Sequence, residues 1–471
     1  MALNLYNSLT KNIEVFNSIT PSHVGVYTCG PTVYNYVTVG NWRTYVLGDI
    51  VTRTLAYNGY HVDYFMNITD VGHLTGDNSG DADTGEDRLE KAKIRENKTA
   101  WDIAKFYTDD FKAGCATLNI QNPKEFLVAT SHIEEQIDLV KKLEDKGLTY
   151  KISDGIYFDT HAYEALGFTY GELSNLDSIK AGARVEFNQE KRNERDFALW
   201  KFSPTDAKRD MEWESPWGIG FPGWHIECSA MSMKALGAQF DIHIGGEDLK
   251  STHHPNEIAQ AQGATGIYPF VKHWIHGAFL QVDGGRMGKS LGNAYTLANI
   301  IEKGISPLAL RYFYLTGHYR SPLNFTWTGL VAADTSLSRI KKTIWEGISN
   351  LEHAEETGKI VPEYKDKFLA AINNDLNMPE ALAVLHALVN DKNVFPSSKL
   401  ITALNFDEVL GLGLKDIEKF EIPTEVILLA QDRQKAREEK NWGRSDELRD
   451  KIYSLGYTVK DTSSGFEITK N

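Results

Sequence analysis

The sequence predicts an α/β chain, in which a parallel sheet is split by an inserted segment and followed by a long helical region. Three observations carry this expectation. Val24-Gly25-Val26-Tyr27-Thr28 alternates like a strand, a helical period begins at Trp42 and continues through Tyr45, Val46 and Ile50, and His61 to Ile68 reads as a second strand. Strand, helix and strand at this spacing form a βαβ unit, whose strands are parallel and whose crossover is right-handed. From Tyr150 to Trp213 the texture changes to short β-like runs, such as Gly155-Ile156-Tyr157-Phe158, which marks the insertion. Beyond about residue 305 the pattern is almost entirely helical.

A chain of 471 residues suffices for two or three domains with a large core. Hydrophobic content of 42% and charged content of 24% are those of a soluble globular protein. With no basic-plus-apolar leader and no apolar run of spanning length, a cytoplasmic protein without a membrane partner is expected. Cys29, Cys115 and Cys228 lie far apart and are odd in number, which fits reduced thiols and not a disulfide framework. The net charge of −14 argues against a dedicated nucleic-acid coat protein but leaves room for a local basic surface.

The first strand runs into Cys29-Gly30-Pro31-Thr32, and Gly40 stands at the start of the helix that Gly59 closes. In a parallel sheet the ligand crevice lies at the strand C-termini, where Cys29 and Thr69-Asp70 fall. The helix start near Gly40 offers free N–H groups and a positive dipole end, suited to phosphate, although an ordinary tight turn has the same composition. Asp77 to Asp87 is acidic and glycine-rich without calcium-loop spacing, so a solvated loop is expected. Residues 88–147 read as helical, with Cys115 a core filler among apolar neighbours. Lys191-Arg192 forms a basic patch in the insertion. A constrained loop through Pro222-Gly223 leads into a helix from His225 to Leu236, with Cys228 in its first turns, where the dipole favours a thiolate. Phe240 to Ile244 and Phe270 to Ile275 complete the second half of the sheet, and Asp283 to Asn293 follows as a loop whose Lys289 suits a phosphate.

Further along, Glu352 to Gly358 reads as a solvated connector, and Asn377-Met378-Pro379 as a cap with proline in the first helical turn. From about Ile422 a helical stretch carries Arg433, Lys435, Arg437, Lys440, Arg444 and Arg449 with Trp442 and Tyr453. Acids are interleaved, yet a basic face with aromatics is what RNA binding asks for.

The stretch the chain is organised around is Gly245 to Gln260. His253-His254-Pro255-Asn256-Glu257 opens a helix after a strand and paired glycines. Residues four apart share a helical face, so His253 and Glu257 can point at one atom; His254 and Glu257, three apart, can do the same. An imidazole and a carboxylate so placed make half of a metal site, and thiolates can supply the other half.

Six segments then resemble, in order and spacing, the motifs of the cysteinyl-tRNA synthetases, a family of class I aminoacyl-tRNA synthetases. They are Thr28-Cys29-Gly30-Pro31-Thr32-Val33-Tyr34, Asn67-Ile68-Thr69-Asp70, Phe197-Ala198-Leu199-Trp200-Lys201, Phe221 to Met231, His253 to Glu257, and Lys289-Ser290-Leu291-Gly292-Asn293. The resemblance spans essentially the whole chain. It implies a Rossmann-type catalytic domain in two halves, 1–147 and 214–304, around an inserted segment at 148–213. A helical bundle at 305–415 and a small anticodon-binding segment at 416–471 would follow. It also implies that Cys29, Cys228, His253 and Glu257 bind one zinc ion, which takes the thiolate of the substrate. Thr69, Trp224 and Asp248 would surround the amino acid. ATP, with Mg2+, would lie on Gly40 and Asn41 and under Arg286, Met287, Lys289 and Ser290, with Thr38, Gly40, Asn41 and Lys289 catalytic. The implied activity joins L-cysteine to ATP as an adenylate and then to the 3′ end of tRNA(Cys), in a monomeric enzyme.

Two departures from the family pattern stand out. The His-Ile-Gly-His-like turn is Thr38-Val39-Gly40-Asn41, and the Lys-Met-Ser-Lys-Ser loop is Arg286-Met287-Gly288-Lys289-Ser290. Threonine keeps a hydrogen-bond donor, arginine keeps the charge with a different geometry, and glycine loosens the loop. These bear on the rate of adenylation more than on the substrate. Two other readings share parts of the resemblance. One is a ligase that passes cysteine to a small amine, which would lack the long tail. The other is a catalytically silent paralogue that binds tRNA or cysteine.

Overall fold

The computed structural model describes residues 1–72, 74, 86–174, 188–204, 208–288, 291–349, 358–415, 423–462 and 465–470. The chain divides into two compact units, Met1–Lys415 and Asp416–Asn471. The first opens with an antiparallel pair, β1 (Asn4–Asn7) and β2 (Asn12–Val15). The sheet then begins with β3 (His23–Thr28), α1 (Val39–Tyr57) and β4 (His61–Ile68). After α2 (Arg88–Glu96) and α3 (Ala100–Thr117) come β5 (Glu125–Val128) and α4 (Ile133–Asp145). The insertion is a four-stranded antiparallel sheet of β6 (Thr149–Ile152), β7 (Gly155–Phe158), β8 (Phe197–Phe202) and β9 (Gly220–Pro222), with α5 (Thr160–Ala165) after β7. The first sheet resumes with α6 (Trp224–Leu236), β10 (Phe240–Gly246), α7 (His253–Thr265) and β11 (Val271–Gly277).

These strands form one five-stranded parallel sheet in the order β11-β10-β3-β4-β5. The chain builds outward from β3 in one direction and, after the insertion, from β10 in the other. The gap between β3 and β10 is therefore the topological switch point, where the strand C-termini open a crevice.

Beyond β11 lie β12 (Leu280–Val282), β13 (Gly285–Arg286), α8 (Leu297–Glu302), α9 (Pro307–Leu315) and β14 (Leu323–Phe325). The helices α10 (Trp327–Ser349), α11 (Pro362–Asn373), α12 (Met378–Asn390) and α13 (Pro396–Leu410) follow. Asn377 caps α12 by accepting from the Glu380 amide, with Pro379 in the first turn, as its sequence predicts. The region 88–147 is not wholly helical. Glu125–Val128 pairs with β4 and forms the sheet edge, a strand too short to show a period.

Helix α1 is buried on nearly every side, so its polar residues must find partners inside. The Arg43 guanidinium donates to four carbonyls, those of Ala278, Phe279, His318 and Ser321, at 2.7–3.0 Å. Asp49, fully buried, accepts from Arg53 at 2.7 Å, from fully buried Arg311 at 2.5 Å and from the Gln121 amide at 2.8 Å. Arg311 also donates to the carbonyls of Leu118, Asn119 and Leu410, which ties α1, the end of α3 and the end of α13 into one network. Cys115 is buried on α3, its thiol pushed up to about 12 by burial and then by Asp49, as suits a core filler.

In the second unit α14 (Thr424–Glu438) and α15 (Trp442–Ser454) pack on a hairpin, β15 (Tyr457–Thr462) and β16 (Gly465–Lys470), around Val426, Ala430, Leu448 and Ile452. Arg433 does not belong to a basic face. It is 5% exposed and grips Asp461 through both terminal nitrogens. Lys435 and Lys440 are exposed, as are Trp442 and Tyr453, and Arg437 lies over the Trp442 ring at 5.5 Å. The Lys191-Arg192 patch is likewise turned to structural use: Lys191 is buried near the Tyr157 ring, and Arg192 covers Tyr150 and pairs with Asp159. The predicted connector at 352–357 and most of the acidic loop, 77–85, lie outside the described residues; Asp87 caps α2 through the Leu89 and Glu90 amides. Among the described residues no helix is long and apolar enough to cross a membrane.

Replacing Arg311 by methionine leaves Asp49 buried with one cation fewer. It should lower the stability of the unit Met1–Lys415 by about 3 kcal/mol, read from urea unfolding. A loss under about 1 kcal/mol would show that Arg53 alone satisfies Asp49.

Candidate active site and metal centre

The strand ends are stitched together where the predicted ligands emerge. The Cys29 amide donates to the Ile244 carbonyl at 2.9 Å, and the Gly30 amide to Asn67 Oδ1 at 2.7 Å. A Cβ on Gly30 would fall 1.7 Å from the Asn67 carbonyl oxygen, so only glycine lets β3 and β4 end this close. Gly223 precedes α6 under the same restriction, 2.2 Å from the Ala198 carbonyl oxygen, and this aims the first turns of α6, with Cys228, at the crevice.

Cys29, Cys228, His253 and Glu257 are all buried, and their ligand atoms lie within 4.8 Å of one another. The two sulfurs are 3.9 Å apart, and His253 Nε2 stands 3.1 Å from Glu257 Oε1. The four-residue spacing on α7 thus does what helical geometry promises. A second group shares Cys29 and Glu257 and adds His243 and His254. Nε2 of each of these histidines is 3.4 Å from the Cys29 sulfur. The structure therefore brings both neighbours, His253 and His254, to the cluster. They differ in what stands behind them. His254 Nδ1 meets His276 Nε2 at 2.7 Å, and His276 in turn meets the Ser8 hydroxyl at 2.8 Å, whereas His253 Nδ1 meets His225 Nδ1 at 2.9 Å.

The groups of the cluster act on one another strongly. The Cys228 thiol is held down at about 7, chiefly by the hydrogen bond from Cys29 and further by His253, against the effect of burial. Burial pushes the Cys29 thiol well up, and the Cys228 sulfur adds to it. Burial pulls the His253 imidazole down, but Glu257 and Cys228 outweigh it and hold it at about 10. His243 is lowered to about 4 by burial. Glu257 Oε2 is buried and accepts no hydrogen bond among the described residues. An ionised carboxylate in that position is costly without a counter-charge. Two thiols, an imidazole and this carboxylate, with their ligand atoms gathered together, fit a divalent metal.

A cavity of about 230 Å³ opens above this cluster, lined by Cys29, Thr38, Asn41, Trp224, Asp248 and Arg88 among others. Trp224 lies against the His253 ring with centroids 4.3 Å apart. Thr38 precedes α1 and donates from its hydroxyl to Asn41 Oδ1 at 2.8 Å. The Val39 amide donates to the Tyr295 carbonyl, while those of Gly40 and Asn41 meet no acceptor among the described residues. A Cβ on Gly40 would fall 2.2 Å from Met287 Cε, which shows how closely the loop after β13 seats on the helix start. Arg286 is exposed on β13, and Lys289 and Ser290 lie outside the described residues. Thr69 is buried behind the lining, its hydroxyl accepting from Asn67 Nδ2 at 3.1 Å. No spacing visible in the sequence singles out His243, His276, His225 or Arg88. A histidine inside an otherwise apolar parallel strand was the available signal for the first two.

A cavity at the switch point of a parallel sheet, with an antiparallel insertion and a helical continuation, defines the class. Solved structures with this fold include Mycobacterium tuberculosis methionyl-tRNA synthetase in complex with methionyl-adenylate. It has a TM-score of 0.57 and 14% identity, over 83% of this chain and 90% of that one. The ternary LeuRS-tRNA-LeuAMS complex of Agrobacterium radiobacter K84 has a TM-score of 0.61 and 12% identity, over 85% of each chain. The fold is that of the class I aminoacyl-tRNA synthetases. The model of the class I (C) tRNA synthetase catalytic domain matches residues 15–335, and that of the cysteinyl-tRNA ligase anticodon binding domain matches 421–467. Cysteine--tRNA ligase 1 of Burkholderia lata is 44% identical over 99% of this chain and 96% of its own length. Cysteine--tRNA ligase of Methanosarcina mazei is 40% identical over all of this chain and 99% of its own. The chain belongs to the cysteine--tRNA ligase family.

Adding a methyl group at Gly30 tests the stitched strand ends. Gly30→Ala should displace Cys29 and cut bound metal to well under half of the parent content, measured by elemental analysis of the folded protein. Full metal content would show that the β3 and β4 ends can part without moving the cluster.

Proposed function

We propose that the protein is a cysteine--tRNA ligase acting as a monomer, which activates L-cysteine with ATP and Mg2+ and charges tRNA(Cys). The observation that carries this reading is the Cys29, Cys228, His253 and Glu257 cluster, whose Cys29 lines a cavity that also takes in Thr38 and Asn41 at the start of α1. These residues are proposed to hold zinc. A zinc ion there supplies a soft Lewis acid that favours a thiol over the hydroxyl of serine, so selection needs no editing step.

The chain's own residues do the remaining work. Trp224, fixed against His253, walls the amino-acid end of the cavity, and Asp248 places a carboxylate there for the substrate ammonium group. Thr69, buried just after β4, is assigned to the same amino-acid site. The free amides of Gly40 and Asn41, at the positive end of α1, suit the phosphates. Because Thr38 gives its hydroxyl proton to Asn41 Oδ1, the Asn41 amide nitrogen is left to donate. Met287, next to Arg286, seats on that turn; Lys289, with Ser290, is assigned the charge developing on the α-phosphate and pyrophosphate. The substrate carboxylate attacks the α-phosphate, pyrophosphate leaves, and the adenylate then acylates the tRNA 3′ end. Positioning and charge stabilisation account for most of such a step. The unit after Lys415 is assigned the anticodon arm, with exposed Lys435, Lys440 and Trp442 as its contacts.

Cysteine-dependent ATP–pyrophosphate exchange tests this directly, and its absence from the metal-loaded protein would sink the reading in favour of a silent paralogue. Cys228→Ser should lose most of the zinc and most of the exchange. His253→Ala should lose zinc and His254→Ala should keep it; the opposite result would move the ligand assignment to the His243–His254 side. Lys289→Ala should slow exchange about 100-fold, the cost of one lost donor to developing charge, with zinc content unchanged. A chain ending at Lys415 should keep exchange and lose most tRNA charging. Full charging by that chain would show that the unit after Lys415 does not hold the anticodon arm.

A further inference from the structure

The rim of the cavity carries an aromatic and cationic surface that the adenylation chemistry does not use. Tyr34 and Tyr36 stand on the loop between Cys29 and α1, and both line the cavity. Tyr36 is 43% exposed, and its ring is braced by two aromatic side chains of α3. Its centroid is 5.1 Å from that of Tyr107 at 89° and 6.2 Å from that of Phe106 at 76°. Phe106, also 43% exposed, carries Lys98 Nζ 4.8 Å from its ring centre. Arg88 lies 5.1 Å from the Tyr34 ring centre and donates to its hydroxyl at 2.7 Å, while Arg95 donates to the Tyr34 carbonyl at 3.1 Å. Glu96 pairs with Arg95 at 2.6 Å and Lys98 at 3.8 Å and accepts from the Tyr107 hydroxyl. Arg95 and Lys98 thus share the Glu96 carboxylate.

The surface is continuous, from the inside of the cavity at Tyr34, over Tyr36, to Phe106 and Lys98 on the outside. Its ligand must present flat π faces, carry negative charge and be long enough to lie outside the cavity while one end reaches in. Unpaired nucleotides meet all three requirements, because stacking on aromatic rings accepts any base and nearby cations follow the backbone. ATP does not require the outer part, since its phosphates are assigned to the amides of Gly40 and Asn41.

We propose that Tyr36 and Phe106, with Lys98 and Arg95, form the platform on which the unpaired 3′ end of the tRNA stacks on its way to the adenylate. This rests on the charging activity proposed above. The test is a binding cycle with the full-length protein. It uses a tRNA(Cys) transcript and the same transcript lacking its unpaired 3′ nucleotides, each with the parent and with Phe106→Ala and Tyr36→Ala. The parent should lose about tenfold in affinity when the 3′ nucleotides are removed, and the variants should lose affinity for the intact transcript only. Tyr36→Phe should restore the parent value. In the kinetic arm, Phe106→Ala and Lys98→Ala should raise KM for tRNA about tenfold and leave exchange, which needs no tRNA, within about twofold. Equal weakening of both transcripts, an unchanged KM for tRNA, or a raised KM for ATP in exchange would each overturn the platform. Loss of exchange by the parent itself would instead strike the charging activity on which the platform rests.

Discussion

Glu257 sets the terms for the centre of this structure. It is fully buried on α7, with one oxygen 3.1 Å from His253 and the other without a hydrogen bond among the described residues. A carboxylate taken out of water needs a counter-charge or it protonates. His253, held at about 10, answers this need in the chain itself, and the groups gathered around the carboxylate come from four separate elements. Cys29 leaves β3, Cys228 rides on α6, His243 sits in β10 and His253 shares α7 with the carboxylate. No single segment can make the site. The parallel sheet does so by turning its direction of growth between β3 and β10, which leaves their C-terminal ends side by side with a crevice above.

The second constraint is the rigidity of α1. Its first turn faces the cavity and offers the amides of Gly40 and Asn41, while its middle is locked by Arg43, Asp49 and Arg53. Arg43 keeps its charge at neutral pH, because burial lowers its pKa only to about 10. The carbonyls it holds, at 278 and 279 and at 318 and 321, flank the segment that carries β12, β13 and Met287. The helix start and the loop that seats on it are therefore tied to the same guanidinium, four residues or fewer from the turn. A phosphate site held from behind in this way costs little reorganisation when it is filled.

What could be read in advance follows signal strength. The strands and helices around Cys29, His61 to Ile68 and His225 to Leu236 announce themselves by period and by their glycine and proline stops. Strand β5 does not, because four residues at a sheet edge carry no period, and neither does the terminal hairpin, whose partner is its own neighbour. Arg433 misleads for another reason. Charge runs along a helix do not say which member turns inward, and Asp461, its partner, lies on the hairpin. At the metal centre, spacing on α7 correctly couples His253 and Glu257 but admits His254 equally, and both do approach the cluster. His243, His225 and His276 are invisible to spacing, since their nearness to the cysteines exists only once the sheet has formed. Motif order along the chain carries the family resemblance even where local periodicity is silent.

The two departures from the family's loop motifs find their compensation in the same neighbourhood. Losing the first histidine of the turn removes a donor, but the Thr38 hydroxyl engages Asn41 Oδ1 and so orients the Asn41 amide group. Glycine at 288 would by itself widen the range of loop conformations. Asn293 narrows it again: its Oδ1 accepts from the Gly288 amide at 2.8 Å, and its Nδ2 donates to the Arg286 carbonyl at 3.1 Å. One side chain thereby bridges both ends of the Arg286–Gly288 segment. Met287, between them, fills the notch that Gly40 leaves by having no Cβ. The freedom of one glycine is thus cancelled by a side-chain clamp, and the space above the other is taken by a neighbour. The turn and the loop fit each other as a pair, which is why neither motif can be judged altered by reading it alone.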